Sequence, residues 1–371
     1  MDIIALQTKR KEHFPMLSKT ETTSLMINLI CAKLLLSYPR KIIQIGATAA
    51  WLEMIYVSLL CLGIFYLTVR VYKRKKSVID LSFVMFGKTG QIIVGVICFV
   101  VLGINFVSVT RIYSESVKIV LLQNTDVNLF LSLFMLTGAI GAYFGLKSTA
   151  KITYIVLPAA AIVFAAFLLL LIPEYNSQNI APIFGAGAKN IFIGGINSSF
   201  VFSDILALNL LLSKTKSVEA AAKSGIKAII ISAVAGTLIC FTYCLIFPYP
   251  TSKDFIMPVY QLSRFINTSS FFNRFEAFFQ FTWSVLIILY CSAYVYILSM
   301  TWQNAFRLSH TKPLIFPVAL LLGAIALLSD SMMDFMETFE VLENYVWPVA
   351  LFLPLVVGIV YRLKKKSKFN L

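Results

Sequence analysis

Lys33 and Asp204 are charged side chains inside long apolar runs, where they are expected to do more than pack. Lys33 lies in the run ICAKLLLSYPR, and Asp204 lies in FVFSD. A charge inside a membrane-crossing segment is costly and normally faces a partner, a cavity or a ligand. Three interpretations of Lys33 are open: an ammonium reaching back to the headgroups, a cation paired with Asp204 or with a ligand carboxylate, and a lysine deprotonated by burial.

Polar and small residues around these two charges have the chemistry to hold a free amino acid. Its carboxylate suits half-helix N-termini and backbone amides, and its ammonium suits carbonyl and hydroxyl oxygens. For any single Ser, Thr or Asn the alternative is a hydrogen bond between helices. The ligand-binding candidates are Cys31, Ala32, Lys33, Asn105, Gly195, Asn197, Ser198, Ser199, Phe200, Asp204 and Thr282.

A second group of residues has a structural or gating character. Pro39 ends the first apolar run, and Arg264, Arg274 and Glu276 lie in and after a proline-containing loop of about 25 residues. The favoured interpretation of Arg274 and Glu276 is an anchor for that loop. Gating of an outer entrance is the alternative.

The composition excludes a soluble domain. Of 371 residues, 59% are hydrophobic and 13% are charged, whereas soluble domains carry about 25% charged residues. Apolar stretches of about 20 residues, the length that spans a bilayer as a helix, recur along the chain. The sequence therefore predicts an all-α integral membrane protein whose environment is the lipid bilayer. The net charge of +15 is explained by orienting loops, so no nucleic-acid partner is expected.

Ten spans can be placed on the hydrophobic pattern, in a single membrane domain over residues 1–371. Most of the 32 basic residues fall in the termini and in every second loop, which predicts that both termini are cytoplasmic. The stretch SDSMMDFMETFEVLENY reads as an acidic outer loop. The spans are 22–39, 48–69, 90–112, 128–146, 152–172, 190–212, 226–247, 275–300, 313–329 and 344–362.

Spans one and six share an interruption. The first contains CAK and a terminal proline, and the sixth contains GGINSSFVFSD. Interrupted spans at corresponding positions indicate two inverted five-helix repeats, here about 18–172 and 188–362, with a binding site at the breaks. Glycine and serine that serve only helix packing are the alternative.

Catalytic and metal-binding patterns are missing from the sequence. The six cysteines lie in apolar spans without a CxxC pair, and the two histidines lie in polar segments. Phosphate-binding loops and nucleophile motifs are absent as well. We therefore expect neither an enzyme nor a cofactor.

Residues 256 to 283, IMPVYQLSRFINTSSFFNRFEAFFQFTW, resemble a signature of the spore germination permeases, the B subunits of germinant receptors. LLLSYPR, IAPIFGAGAKNIFIGG and FVFSD resemble further family segments in the same order. The resemblance implies the amino acid/polyamine/organocation superfamily and a LeuT-like fold with broken helices one and six. It also implies a place in the spore inner membrane beside an A subunit and a lipoprotein C subunit.

This sequence departs from the family where the first span breaks. The family commonly has a glycine-rich segment there, whereas this chain has Ala32, Lys33 and Leu34. Glycine lets an unwound backbone approach a ligand, and lysine instead adds bulk and charge.

Three functions remain open on the sequence. The first is a receptor subunit that senses a small amino acid, the second is a proton-coupled amino acid transporter, and the third is a scaffold or ion-path subunit of a membrane complex.

Overall fold

The computed structural model describes residues 16–36, 38–72, 76–122, 124–266, 275–329 and 331–367. These residues form helices and connections, without a strand among them, which agrees with the all-α prediction. The helices of the described chain are α1 Lys19–Leu34, α2 Tyr38–Gly46, α3 Ala50–Val71, α4 Val78–Val120, α5 Val127–Tyr143, α6 Leu146–Leu170, α7 Ala188–Phe192, α8 Ile205–Leu210, α9 Val218–Ile246, α10 Pro258–Arg264, α11 Phe275–Phe306, α12 Ile315–Ala326 and α13 Met332–Ser367.

The first predicted span is divided between α1 and α2. A capping box starts α1: the Ser18 hydroxyl accepts a hydrogen bond from the N–H of Glu21, whose carboxylate accepts one from the Ser18 N–H at 2.7 Å. Pro39 cannot donate to the carbonyl of Leu35, so a helix running toward it has to end first. The interruption predicted at residues 31 to 33 is therefore displaced, because these residues form the last turn of α1.

The sixth predicted span is irregular along most of its length. Here α7 leads into a 3-10 helix, Gly194–Phe202, and the chain then bends by 45° before α8. Glycine and serine both disfavour regular α-helical winding. The 3-10 helix coincides with the GGINSSFVF stretch that the sequence analysis selected.

Two other helices are longer than their predicted spans. The third span was predicted at 90–112, whereas α4 starts after a capping box of Ser77 and Asp80 and bends at Gly87, whose φ is 67°. From Met332 onward, the acidic stretch predicted as an outer loop forms the first turns of α13. Its Glu337, Glu340 and Glu343 recur every third residue and line one cavity, because this spacing places side chains on one helix face.

Six helices of the described chain are long and apolar enough to cross a membrane, and a seventh crossing is formed if the bent pair Ala188–Phe202 and Ile205–Lys214 counts as one. The protein is thus an integral membrane protein. Helices α5 and α12 are apolar but shorter than a typical span, and α1 has 16 residues. The ten-span count stays a prediction.

The helices define two ends of the bundle. At the end we call the N-terminal face, Leu17 donates its N–H to the carbonyl of Lys214 at 2.9 Å. At the other end, the opposite face, Thr48 donates to the carbonyl of Pro182 at 2.5 Å. The positive-inside pattern predicts that the N-terminal face is cytoplasmic.

Candidate functional site

Lys33 points into the bundle and forms an ion pair with Asp204. Its Nζ lies 2.9 Å from Asp204 Oδ2, and the two side chains are 4% and 0% exposed. The same ammonium donates to Ser203 Oγ at 2.7 Å and to the carbonyl oxygen of Phe200 at 3.3 Å. An ammonium has three N–H donors, so each of them has an acceptor. The interpretation of Lys33 as a headgroup-seeking side chain is therefore wrong.

Asp204 has donors on both carboxylate oxygens. Lys33 is beside Oδ2, while the Tyr294 hydroxyl donates to Oδ1 and Asn105 Nδ2 lies 3.5 Å from that oxygen. Tyr294 belongs to α11 and Asn105 to α4. The carboxylate thus ties α1, α4 and α11 to the bend that precedes α8.

A hydrogen-bonded and aromatic wall supports this pair. The Asn105 amide lies 2.9 Å from Ser203 Oγ, and the Tyr290 hydroxyl donates to the Asn105 carbonyl at 3.2 Å. The ring centroids of Tyr290 and Tyr294 are 4.5 Å apart, and the Phe106 ring stacks on both. Buried networks with every group satisfied hold their members in one arrangement.

The pair lies deep within the bundle. Lys33 is about 21 Å along α1 from its first residue, and Tyr294 is about 18 Å from the end of α11, at 1.5 Å per residue. Both positions fall well inside a bilayer core of about 30 Å. Because an unpaired charge at this depth costs several kcal/mol, the two side chains stabilise each other's charged state.

Glu53 is a second buried carboxylate next to the same 3-10 helix. It lies in the first turn of α3, is 0% exposed, and accepts a hydrogen bond from Ser198 Oγ to its Oε1 at 2.6 Å. Its Oε2 has no hydrogen-bond partner among the described residues. A Cβ on Gly195 would lie 2.8 Å from Glu53 Cγ, and one on Gly46 would lie 2.6 Å from Oε2. These glycines let two backbones close around the carboxyl group.

A cavity of about 190 Å³ opens on the opposite face, above the ion pair. Lys41 lines it and forms an ion pair with Glu343 at 2.9 Å. The Phe200 ring lies near both lysines: its centroid is 5.8 Å from Lys41 Nζ and 4.1 Å from Lys33 Nζ. We call the space lined by Arg40, Lys41, Gln44, Ser108, Ile112, Met333, Met336, Glu337, Phe339, Glu340 and Glu343 the vestibule.

The predicted ligand-binding residues divide into three places. Lys33, Asn105, Phe200 and Asp204 form the ion-pair network described above. Gly195 and Ser198 contact Glu53 instead, and the buried Ser199 hydroxyl has no hydrogen-bond partner among the described residues.

Four other candidates lie away from the ion pair. The Cys31 thiol faces Ser232 on α9 at 3.4 Å, and Ala32 is buried in the last turn of α1. Asn197 is exposed and accepts a hydrogen bond from Trp347 at 3.2 Å. Thr282 bonds to Phe278 in its own helix at 3.0 Å, about 12 Å along α11 from Tyr290. Sequence reasoning placed Thr282 in the site, whereas Tyr290 and Tyr294 are the α11 residues that reach it.

The structural and gating candidates have simpler positions. Pro39 is buried in the first turn of α2, and Arg264 is exposed at the end of α10. Arg274 lies outside the described residues, and Glu276 lies in α11 with its side chain outside them. The predicted role of these two residues as a loop anchor therefore stays a prediction.

Sequence reasoning missed Glu53, Ser203, Tyr290, Tyr294 and the Lys41–Glu343 pair. Glu53 carried a usable signal, because it is an acid inside the apolar run AWLEMIYVSLL. Ser203 adjoins Asp204 and could have been included. The two tyrosines carried none, since aromatic side chains occur throughout the chain.

The arrangement presents one fixed cation and one fixed anion at a bend in the backbone. A zwitterionic amino acid carries both charges and could pair with each. The Phe200 carbonyl and the Ser203 hydroxyl, at the end of the 3-10 helix, add one acceptor each. Among the described residues no group of three or more His, Cys, Asp or Glu side chains could hold a metal ion.

Solved structures with a similar fold include two that are named as transporters. MhsT in complex with L-phenylalanine aligns with a TM-score of 0.68 at 9% identity, over 95% of this chain and 99% of that one. Mhp1, a nucleobase-cation-symport-1 family transporter in a closed conformation with bromovinylhydantoin bound, aligns with a TM-score of 0.67 at 10% identity. The alignment covers 92% of this chain and 78% of Mhp1. A manganese transporter mutant of Eremococcus coleocola aligns with a TM-score of 0.54 at 12% identity, over 92% of this chain and 77% of that one. No curated protein matches the chain.

The fold is that of a helical integral membrane protein with a charged pair buried among its helices. The family model of the spore germination proteins matches residues 16–334. The chain therefore belongs to the spore germination protein family.

Proposed function

We propose that this chain is the B subunit of a nutrient germinant receptor, which senses a small amino acid at the Lys33–Asp204 pair. The observation that carries the proposal is this buried pair, which joins α1 to the bend before α8. A zwitterion can exchange with the pair: its carboxylate takes the place of Asp204 beside Lys33, and its ammonium takes the place of Lys33 beside Asp204. The exchange leaves no buried charge unpaired, which is the condition for low cost.

The exchange also supplies a signal. Lys33 and Asp204 tie α1 to the segment that bends by 45°, so a ligand between them separates these elements. A ligand that binds the separated arrangement better shifts the population toward it. In the entry route that we propose, the ligand passes from the vestibule by the Phe200 ring, whose centroid lies 5.8 Å from Lys41 Nζ and 4.1 Å from Lys33 Nζ.

The architecture we infer is ten spans in two inverted repeats of five, with the first and sixth spans broken. Support comes from the division between α1 and α2, the 3-10 helix with its bend, and the likeness in fold to transporters. In this arrangement Lys33 and Asp204 belong to different repeats, and their pair holds the repeats in one relative position.

Family membership supports the localisation and the partners that we propose. We place the protein in the inner membrane of the spore with both termini cytoplasmic, beside an A subunit and a lipoprotein C subunit. In this role the protein is not an enzyme, and the message passes to partners as a conformational change.

Germination of spores that carry Lys33→Met tests the proposal. We expect the response to the amino acid germinant to be lost, because a thioether offers no partner for a carboxylate. The matched control is Lys189→Met, since Lys189 is exposed outside the network. A normal nutrient response of the Lys33→Met spores, with the protein present at wild-type level, would contradict the proposal.

A second candidate is a proton-coupled amino acid transporter, and Glu53 is the observation that favours it. A buried carboxyl group with one unpartnered oxygen is stable when it holds a proton, and it can release that proton once water or a cation reaches it. Uptake of radiolabelled amino acid into proteoliposomes separates the candidates. Accumulation that depends on a proton gradient and is lost in Glu53→Gln supports transport, whereas binding without flux supports sensing.

A further inference from the structure

A cavity of about 600 Å³ opens at the N-terminal face, away from the ion pair and the vestibule. Four lysines and a histidine line it: Lys147, Lys151, Lys214, Lys312 and His310. Among the described residues that line it, none is an aspartate or a glutamate. Like charges gathered around a concave surface raise the local potential and attract anions.

The start of α6 adds to this positive field. Gly145, with φ 94°, turns the chain into α6, and no side chain caps the helix there. Leu146, Lys147 and Ser148 form its first turn and line the cavity. An α-helix of 25 residues carries about half a positive charge at its N-terminus, where backbone N–H groups point outward.

The rim of the cavity is aromatic as well as basic. Tyr143 and Phe144 line it with exposures of 46% and 72%, and Lys312 Nζ lies 4.8 Å from the Tyr143 ring centroid. Aromatic rings and lysines concentrate at the headgroup level of membranes. The volume exceeds that of a lone small anion and falls within the range of small-molecule sites.

We propose that this cavity binds a phosphate group, carried by an anionic phospholipid headgroup or by a soluble phosphorylated compound. Lysine ammonium groups and a helix N-terminus together match a compact, multiply charged phosphate. The site is independent of the proposed function, because none of its residues belongs to the ion-pair network or the vestibule.

Binding to purified full-length protein in detergent tests the proposal with two probes. One probe is short-chain phosphatidylglycerol, with phosphatidylcholine as its neutral control, and the other is inorganic pyrophosphate. In Lys147→Gln/Lys151→Gln we expect the affinity for the bound probe to fall about tenfold or more, since each lysine near an anionic headgroup strengthens the binding of that headgroup. Lys147→Arg/Lys151→Arg keeps the charges and should retain binding.

The matched control is Lys189→Gln/Lys253→Gln, which removes one exposed lysine of α7 and one exposed lysine of the connection between α9 and α10, both outside the cavity. Saturable binding of phosphatidylglycerol alone assigns the site to lipid, and binding of pyrophosphate assigns it to a soluble ligand. The proposal is overturned if neither probe binds. It is also overturned if Lys147→Gln/Lys151→Gln and Lys189→Gln/Lys253→Gln lower the affinity for the probe equally.

Discussion

Asp204 and Glu53 are both buried carboxylates beside the same 3-10 helix, yet their surroundings differ. Asp204 has an ammonium at 2.9 Å and a tyrosine hydroxyl on its other oxygen. Glu53 has one serine at 2.6 Å, and its second oxygen has no partner among the described residues. The first carboxylate has a cationic partner, whereas the second has only a neutral hydroxyl donor. In the functions proposed above, the first belongs to the site for a zwitterion and the second to the site for a proton.

Removal of one charge from the ion pair should have the largest effect. Asp204→Asn leaves the Lys33 ammonium buried without an anion, so the free energy of unfolding should fall by about 3–5 kcal/mol. Thermal unfolding in detergent measures this, with Asp254→Asn at an exposed loop position as the control. An unchanged melting temperature would mean that the pair contributes nothing.

Removal of both charges sharpens the same point. Lys33→Met/Asp204→Leu leaves no unpaired charge, so it should regain more than half of the stability that Asp204→Asn loses. The double variant should therefore be stable but should not bind the amino acid, because it has no charges to pair with the ligand. Additive losses from the two single substitutions would show that the side chains act independently.

Glu53 should respond more weakly than Asp204. In Glu53→Gln the amide oxygen can still accept from Ser198, so the free energy of unfolding should change by less than about 1 kcal/mol. Thermal unfolding beside Asp204→Asn makes the comparison direct. A loss as large as that of Asp204→Asn would indicate that Glu53 is charged and has a cationic partner in the folded protein.

The vestibule pair should have the smallest effect on stability. Glu343→Gln breaks the partly exposed ion pair with Lys41, so the free energy of unfolding should fall by about 0.2–1 kcal/mol. The substitution also removes a contact between α2 and α13 at the vestibule. The association rate of the ligand, measured by stopped-flow fluorescence, should rise a few-fold. Glu337→Gln alters the same cavity and leaves the ion pair in place, so an equal rise in both variants would count against gating by Lys41 and Glu343.

The sequence predicted those features that depend on local composition. An acid and a lysine inside apolar runs indicated partners in the interior, and GGINSS indicated irregular winding. The exact break in the first span was misplaced, because Pro39 has no N–H to donate to the carbonyl of Leu35, four residues earlier, and the helix ends there. The length of α4 was also missed, because a further helical segment precedes the kink at Gly87, where the backbone is non-helical.

Contacts between distant helices could not be predicted from one sequence. Helices that are apolar on every side show no preferred face, so nothing distinguished Tyr294 from the other tyrosines or excluded Thr282. Glu53 was within reach of the sequence, whereas its pairing with Ser198 required the fold to bring α3 against the 3-10 helix.

Calorimetric titration of the purified protein tests the central claim, that a zwitterion replaces the two partners of the Lys33–Asp204 pair. The ligands are the germinant amino acid and two analogues that each lack one charge, and the proteins are wild type and Lys33→Met/Asp204→Leu. We predict binding of the intact amino acid to wild type, with affinity at least about tenfold lower for either analogue and for the double variant, because one lost charge-assisted contact costs about 1.5–3 kcal/mol. Equal affinity of both proteins for the amino acid would contradict the account.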